Sequence, residues 1–514
     1  MNFRRVVHFL LLVAVPVAAL SFFSPLEKWR GPAYLVSNLD PNYAYLFNSL
    51  NILNGIPPGH RDHPGTPVQT WGGLTLRVKY PSDTRAEITE RVLKDPEAAM
   101  SSLSFSLAAL CTLVMILAGV VAAAAFGSVW AGLAFQLFPM VTPFYWDFLV
   151  KMTPDLLSMN LACLFLALCC RYYFTGEIGS KQARILGIVF GIAVASKVTA
   201  IPVILIPLYL CWKSRKVVLT LLGAGALTFL VCIIPILRKG AGYFLVWNYQ
   251  LLTHSGNYGG GEAGLPSFSV WSASALNLLT SVWMYPAVIA LGLVLVTRLK
   301  ENSKKKFVVL SLVLLFVQLA IVAKHPAGRY LMPAFSACAV ILAMGVTQLK
   351  RSWQAVTVCG LLAVFAFSHP LARARDQQKI LVRSAAQGLL QVEIQRQDCR
   401  TVVSFSNASS KIYGLFFGDS FARGSYAASL DRLYPEALVY DLAQSRFYRF
   451  DVAAPTSVDE LIKDHGPVCL LGPDDTSKFV KLQEPYSLKL LYSTPGQDAL
   501  FSLQKPSSLV KKSF

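Results

Sequence analysis

The sequence predicts a polytopic α-helical membrane protein with an α/β domain at its C-terminal end, outside the membrane. Three observations lead there. The 514 residues are 54% hydrophobic and 15% charged, and the mean hydropathy is +0.50. That balance lies beyond the usual range of soluble domains. Apolar runs near the length of a membrane crossing recur between residues 6 and 368. From residue 371 onward the runs shorten and alternate with turn residues, as in a small sheet domain.

A crossing takes about 20 mostly apolar residues. About eleven stretches qualify: 6–23, 103–125, 128–142, 154–174, 183–196, 198–212, 217–235, 276–297, 307–323, 330–349 and 354–368. The third, fifth and sixth are short, and tilted, broken or re-entrant segments are expected there. Arg4 and Arg5 ahead of the first run resemble the start of a secretory signal. Ala18-Ala19-Leu20-Ser21 is a poor cleavage site, so the run is read as a retained anchor.

A large loop follows at 24–102. Tyr43–Asn54 carries apolar residues at helical spacing and meets a stop at Gly55, Pro57 and Pro58. Residues 83–100 are charged and amphipathic, the pattern of a helix on a membrane surface. Residues 236–275 read as a second loop, with Trp247, Tyr249, His254, Tyr258 and the run Gly259-Gly260-Gly261-Glu262. Such a loop fits a substrate cover or an ordinary connector.

The formal net charge is +19, and its placement decides what it means. Lys213, Arg215 and Lys216 form one cluster, Arg298, Lys300, Lys304, Lys305 and Lys306 a second, and Lys350 with Arg351 a third. If the spans alternate, these fall on one side with Arg4, Arg5 and the 171–184 loop, the positive-inside pattern. The N-terminus is then cytoplasmic, in a multi-pass protein of the inner membrane. The first loop, the 143–153 loop, the 236–275 loop and the C-terminal domain lie outside. Nucleic-acid binding is excluded, since it clusters basic residues on a soluble face.

Eight of the ten cysteines fall in the apolar runs and read as small fillers. Cys399 and Cys469 lie in the C-terminal part, where a disulfide and two buried thiols fit equally. In that part Thr401–Phe405, 437–440, 468–471 and 488–492 read as strands, and 409–418 and 457–465 as helices. The chain thus divides at 370/371.

The polar residues that carry chemistry gather at one face. Asp40 sits in Leu39-Asp40-Pro41-Asn42-Tyr43, and Asp62-His63-Pro64-Gly65-Thr66-Pro67 follows some twenty residues on, after His60 and Arg61. A carboxylate beside a membrane must be hydrated, paired or functional; capping of the Tyr43 helix is its bland role. Asp147 and Lys151 precede the fourth run, and Asp155 opens it in Thr153-Pro154-Asp155, where an acid also simply favours a helix start. Lys197 lies in Ser196-Lys197-Val198, between apolar segments. Lys324, His325, Arg329 and Tyr330 share the link Lys324–Pro333. A cation at a span end also snorkels to headgroups. Together the set suits a phosphate-bearing amphiphile, with cations on the phosphate and a carboxylate as base. His60-Arg61-Asp62-His63 holds too few ligands for a metal site, and His63 before Pro64-Gly65 also simply shapes a turn. No cofactor is implied, and a divalent metal has no support.

These arrangements resemble the GT-C superfamily, multi-spanning glycosyltransferases that use a polyprenyl-phosphate-linked sugar. The superfamily includes the protein mannosyltransferases and the lipid A aminoarabinose transferase. The resemblance covers residues 1–370 and rests on Asp40 in the first large loop, Thr153-Pro154-Asp155, Ser196-Lys197, and Arg329-Tyr330-Leu331-Met332-Pro333. The stretch 40–69 also looks like bacterial members of the group. The resemblance implies inverting transfer to a glycan, lipid or protein acceptor at the outer membrane face. It implies Asp40 as base, with Lys197, Arg329, Lys324 and His325 balancing the donor phosphate. The family often pairs two acids near the first loop, and here no second acid adjoins Asp40. Asp62, Asp147 and Asp155, with His63, remain candidates for that place or for the acceptor.

A transporter or flippase of a lipid-linked sugar is the alternative. It would place polar residues through the membrane centre and broken helices in matching halves. The span centres here are nearly free of charge, and no matching halves stand out.

Overall fold

A computed structural model gives the fold and describes residues 3–35, 39–61, 65–176, 178–256, 260–397, 399, 401–405, 408–441, 446–450, 468–473, 487–493 and 498–504. Asp62, His63 and the stretch 457–465 lie outside the described residues. The chain packs as two units. One holds Met1–Leu26, Gly55–Thr75 and Ser102–Ala372; the other holds Glu27–Asn54, Leu76–Ser101 and Arg373–Phe514. The second unit therefore combines parts of the first loop with the C-terminal region.

The first unit is helical. Among the described residues seven helices are long and apolar enough to cross a membrane: Arg5–Arg30, Pro96–Phe126, Pro154–Phe174, Arg215–Arg238, Asn302–Ala323, Gly328–Thr347 and Arg351–Ser368. The pair Phe268–Ser281 and Met284–Arg298, bent by 90°, makes eight if it counts as one span.

The three runs expected to be short form short or broken helices. The run 128–142 is the 12-residue helix Val129–Met140, about 18 Å long at 1.5 Å per residue. Ala131 through Met140 are all buried in protein. The run 183–196 lies in the 17-residue helix Ser180–Ser196. The run 198–212 starts as a 3-10 helix, Val198–Ile204, and continues as Leu205–Cys211. Pro202 in that 3-10 segment lacks an amide donor, which disfavours a straight α-helix.

The second loop also differs from expectation. Its first part belongs to the 39-residue helix Arg215–Thr253. Beyond it, His254 and Ala263 form an isolated antiparallel bridge. Helix Ser180–Ser196 packs backbone to backbone on Arg215–Thr253. A Cβ at Gly187 would meet the Leu221 carbonyl oxygen at 2.6 Å, and one at Gly191 would meet that of Gly225 at 2.6 Å. That close packing fixes the helix end from which Lys197 emerges.

The second unit is built on a six-stranded sheet. Its strands are β1 (Thr401–Phe405), β2 (Leu438–Asp441), β3 (Arg446–Tyr448), β4 (Val468–Pro473), β5 (Ser487–Ser493) and β6 (Asp498–Gln504). Their spatial order is β3-β2-β1-β4-β6-β5. β1 runs parallel to β2 and β4, and the other pairs are antiparallel. Cys469, Leu471 and Leu500 form the sheet's buried core with Ala408 and Leu390. Cys399 and Cys469 are joined by a disulfide.

The amphipathic stretch at 83–100 is helix Arg85–Lys94, started by a reciprocal Thr84–Glu87 cap. Its apolar residues Ile88, Val92 and Leu93 are buried. Tyr434 Oη donates to the Leu93 carbonyl at 2.9 Å. Protein of the same unit covers this face, where the sequence predicts lipid.

Candidate functional site

The first unit contains a cavity of about 870 Å³. Its polar lining includes Lys197, Thr199, Lys324, His325 and Tyr330, and Trp247, Leu251 and Trp271 form part of its apolar wall. Leu252, Leu265 and Phe268 line it too and are exposed. The apolar wall therefore reaches the protein surface, where an acyl or prenyl chain can enter.

Two 3-10 turns build the polar end. Val198–Ile204 follows directly on Lys197, and Gly328–Ala334 contains Arg329 and Tyr330. Each contains a proline, Pro202 or Pro333, and each runs straight into an α-helix, Leu205–Cys211 or Phe335–Thr347. Gln318 of helix Asn302–Ala323 joins the turns. Its Nε2 donates to the Thr199 carbonyl at 3.1 Å and to the Tyr330 carbonyl at 2.9 Å. Gln318 is fully buried, so these bonds satisfy its amide nitrogen without water.

Lys197 forms a buried ion pair with Asp155 Oδ1, each side chain 5% exposed. Burying two charges is costly unless their remaining valences are met. Thr153 Oγ1 donates to the other carboxylate oxygen, Oδ2, at 2.7 Å. The Lys197 ammonium also lies 4.6 Å from the centre of the Tyr330 ring, a cation–π contact. Thr153 is the N-cap of helix Pro154–Phe174 and Pro154 its first residue, so the Thr-Pro-Asp sequence sets the carboxylate at the helix start.

Lys324 Nζ donates to the Leu251 carbonyl, in the last turn of helix Arg215–Thr253. Burial pushes its pKa down. His325 is also pushed below its usual value, first by burial and then by the charge of Lys324. That direction favours the neutral imidazole. The ring of His325 meets that of Tyr330 edge-on, with centroids 6.3 Å apart.

Lys197, Lys324 and His325 thus line one cavity, and Asp155 reaches it through Lys197. Arg329 lies behind Tyr330, its Cζ 5.2 Å from the ring centre and Nη2 3.4 Å from the hydroxyl. Asp147 pairs with Lys151 one helical turn away, at 2.6 Å. Neither Arg329 nor Asp147 is among the lining residues. Arg61 is buried, with its guanidinium 5.1 Å from the Tyr243 ring. Asp40 belongs to the second unit and is partly buried. It directly precedes Pro41, the N-cap of helix Asn42–Leu53. Among the described residues no group of three or more His, Cys, Asp or Glu gathers as a metal site requires.

Sequence reasoning misses Thr199, Trp271 and Gln318 as parts of this site. Gln318 leaves a trace: it is a lone amide inside Phe316-Val317-Gln318-Leu319, and a polar group in a span calls for a buried partner.

No family model matches the chain, and no curated protein matches it. Solved structures do match its fold. ArnT from Cupriavidus metallidurans, in a crystal structure bound to undecaprenyl phosphate, is 12% identical with a TM-score of 0.53, over 98% of this chain and 98% of that one. ArnT from the same organism in the apo state gives 12% identity and 0.53, over 96% of this chain and 97% of that one. The protein has several helices long and apolar enough to cross a membrane and shares its fold with ArnT.

Proposed function

We propose that the protein is an inverting glycosyltransferase that moves a sugar from a polyprenyl-phosphate donor to an acceptor at the outer face of the membrane. The observation that carries this reading is the cavity. It combines an apolar wall open at the surface with buried and half-buried cations at one end. A lipid chain with a phosphate head has the same division. The similar ArnT structure was obtained with undecaprenyl phosphate bound, which supports the same class of donor.

In this reading Asp40 takes the proton of the acceptor hydroxyl or amine. The acceptor heteroatom forms a bond to the anomeric carbon from the face opposite the phosphate. The bond from that carbon to the phosphate oxygen breaks, and the electron pair leaves with the lipid phosphate. A phosphate is already a good leaving group, so no acid is needed; the growing negative charge must be balanced. Lys197 and Lys324 supply that balance, with His325 as a neutral donor and Arg329 holding Tyr330 against Lys197. Asp155 is engaged by Lys197 and Thr153. It therefore orients the cation and leaves the acceptor to other groups. The disulfide Cys399–Cys469 supports a position outside the cytoplasm, where such bonds persist.

The test is donor consumption by the purified protein against a panel of polyprenyl-phosphate sugars. Turnover of one panel member is expected, with release of the free lipid phosphate. Binding of these donors without any release of lipid phosphate, in the presence of envelope acceptors, would instead favour a carrier.

A further inference from the structure

Three residues tie the chain around Asp40 to the rest of the second unit. Glu97 stands at the start of helix Pro96–Phe126. Its Oε2 accepts from the Ala33 amide at 2.7 Å, and its Oε1 accepts from Tyr43 Oη at 2.9 Å. Ala33 and Tyr43 lie seven residues before and three after Asp40, and both are fully buried. One carboxylate therefore clamps the two ends of the segment that carries Asp40.

Tyr43 is fixed on its other side as well. A Cβ at Gly414 would lie 2.7 Å from the Tyr43 ring, so the ring rests on bare backbone of helix Lys411–Phe421. Within the segment, the Tyr43 amide donates to the Leu39 carbonyl at 3.2 Å and that of Tyr45 to Pro41 at 2.8 Å. These bonds tie the residues flanking Asp40 into the first turn of helix Asn42–Leu53. Arg383 adds a further tether, its Nη1 donating to the Leu35 carbonyl at 2.8 Å.

We infer that Glu97 is a positioning residue for Asp40, acting through Tyr43 and Ala33. The inference rests on the reading of Asp40 as the base. The role needs a hydrogen-bonding partner at both contacts and does not need the negative charge. Glutamine meets most of it, since its carbonyl accepts from Ala33 and its amide donates to the Tyr43 oxygen.

The test compares Glu97→Ala, Glu97→Gln, Tyr43→Phe and Asp40→Asn by donor turnover and by amide hydrogen exchange of the intact protein. Misplacement of a catalytic group by about 1 Å costs on the order of 100-fold. Glu97→Ala should therefore lose about 100-fold in kcat, with donor KM changed less than about threefold. Residues 39–45 should exchange faster, with the sheet β1–β6 unchanged. Tyr43→Phe should fall in the same direction by a smaller factor, and Glu97→Gln should recover most of the loss. Full kcat in Glu97→Ala beside an inactive Asp40→Asn would overturn the inference and leave Asp40 as base. Full turnover in Asp40→Asn would overturn both. Exchange that rises across the whole unit would mark Glu97 as a general stabiliser and also overturn the inference.

Discussion

Lys197 donates a hydrogen bond to Asp155 Oδ1 inside the first unit, where each side chain is 5% exposed. Thr153 occupies the other carboxylate oxygen and Tyr330 faces the ammonium. Removing one member of such a pair strands a buried charge, at a cost of about 3–5 kcal/mol. Asp155→Asn and Lys197→Met should each lower the unfolding midpoint sharply in detergent. The double variant should be less damaged than the sum of the two. Additive losses would mean the pair is not coupled.

Gln318 holds the turns that carry Lys197 and Tyr330. Gln318→Leu leaves two carbonyl groups without their donor, about 1–3 kcal/mol of desolvation for each one that stays dry. Affinity for a polyprenyl phosphate should drop, because the turns lose their common tie. Calorimetry or a fluorescent lipid-phosphate competition assay reads this directly. Unchanged affinity in a folded variant would show that the turns hold themselves.

The disulfide Cys399–Cys469 closes a sequence separation of 70 residues. A loop of that length gives on the order of 4 kcal/mol in the chain-entropy model. Cys399→Ser with Cys469→Ser should therefore destabilise the second unit. Limited proteolysis is the measurement: cleavage should rise between residues 399 and 504 and stay constant in the first unit. Equal resistance with and without the bond would contradict this.

Asp419 gives the second unit a pH dependence. Burial raises its pKa to about 6 from 3.8 in spite of the hydrogen bond from the Tyr426 amide. The folded state thus holds a proton that the unfolded state has lost between those values, so stability falls as pH rises from about 4 through 6. Lowering pH from 7 to 5 should stabilise the unit by about 1 kcal/mol from this group. Asp498, raised by burial as well, acts in the same direction. Asp419→Asn should flatten the slope of the thermal midpoint against pH in that window. A slope unaltered by the substitution would assign the effect elsewhere.

Much of the fold was legible because lipid-length apolar runs are a strong local signal. The run at Val129–Met140 is a short helix whose residues Ala131 through Met140 are buried in protein, and composition does not separate burial in protein from burial in lipid. β3 has three residues, too few to show alternation. Gly414 and Gly418 meet Tyr43 and Phe47 across some 370 residues of sequence, and a single chain offers no local trace of such a contact. Lys197, Lys324 and His325 stand out in sequence because a polar group flanked by apolar runs needs a reason. Thr199 and Trp271 do not stand out, because a threonine or a tryptophan beside an apolar run is ordinary.

The central claim is that Asp40 is the base of a sugar transfer from a lipid phosphate, and Asp40→Asn tests it most directly. Asparagine keeps the shape and cannot take the proton. Donor binding should be retained, and turnover should fall by at least about 100-fold, the lower range for loss of a general base. Turnover equal to that of the wild-type protein would contradict the account.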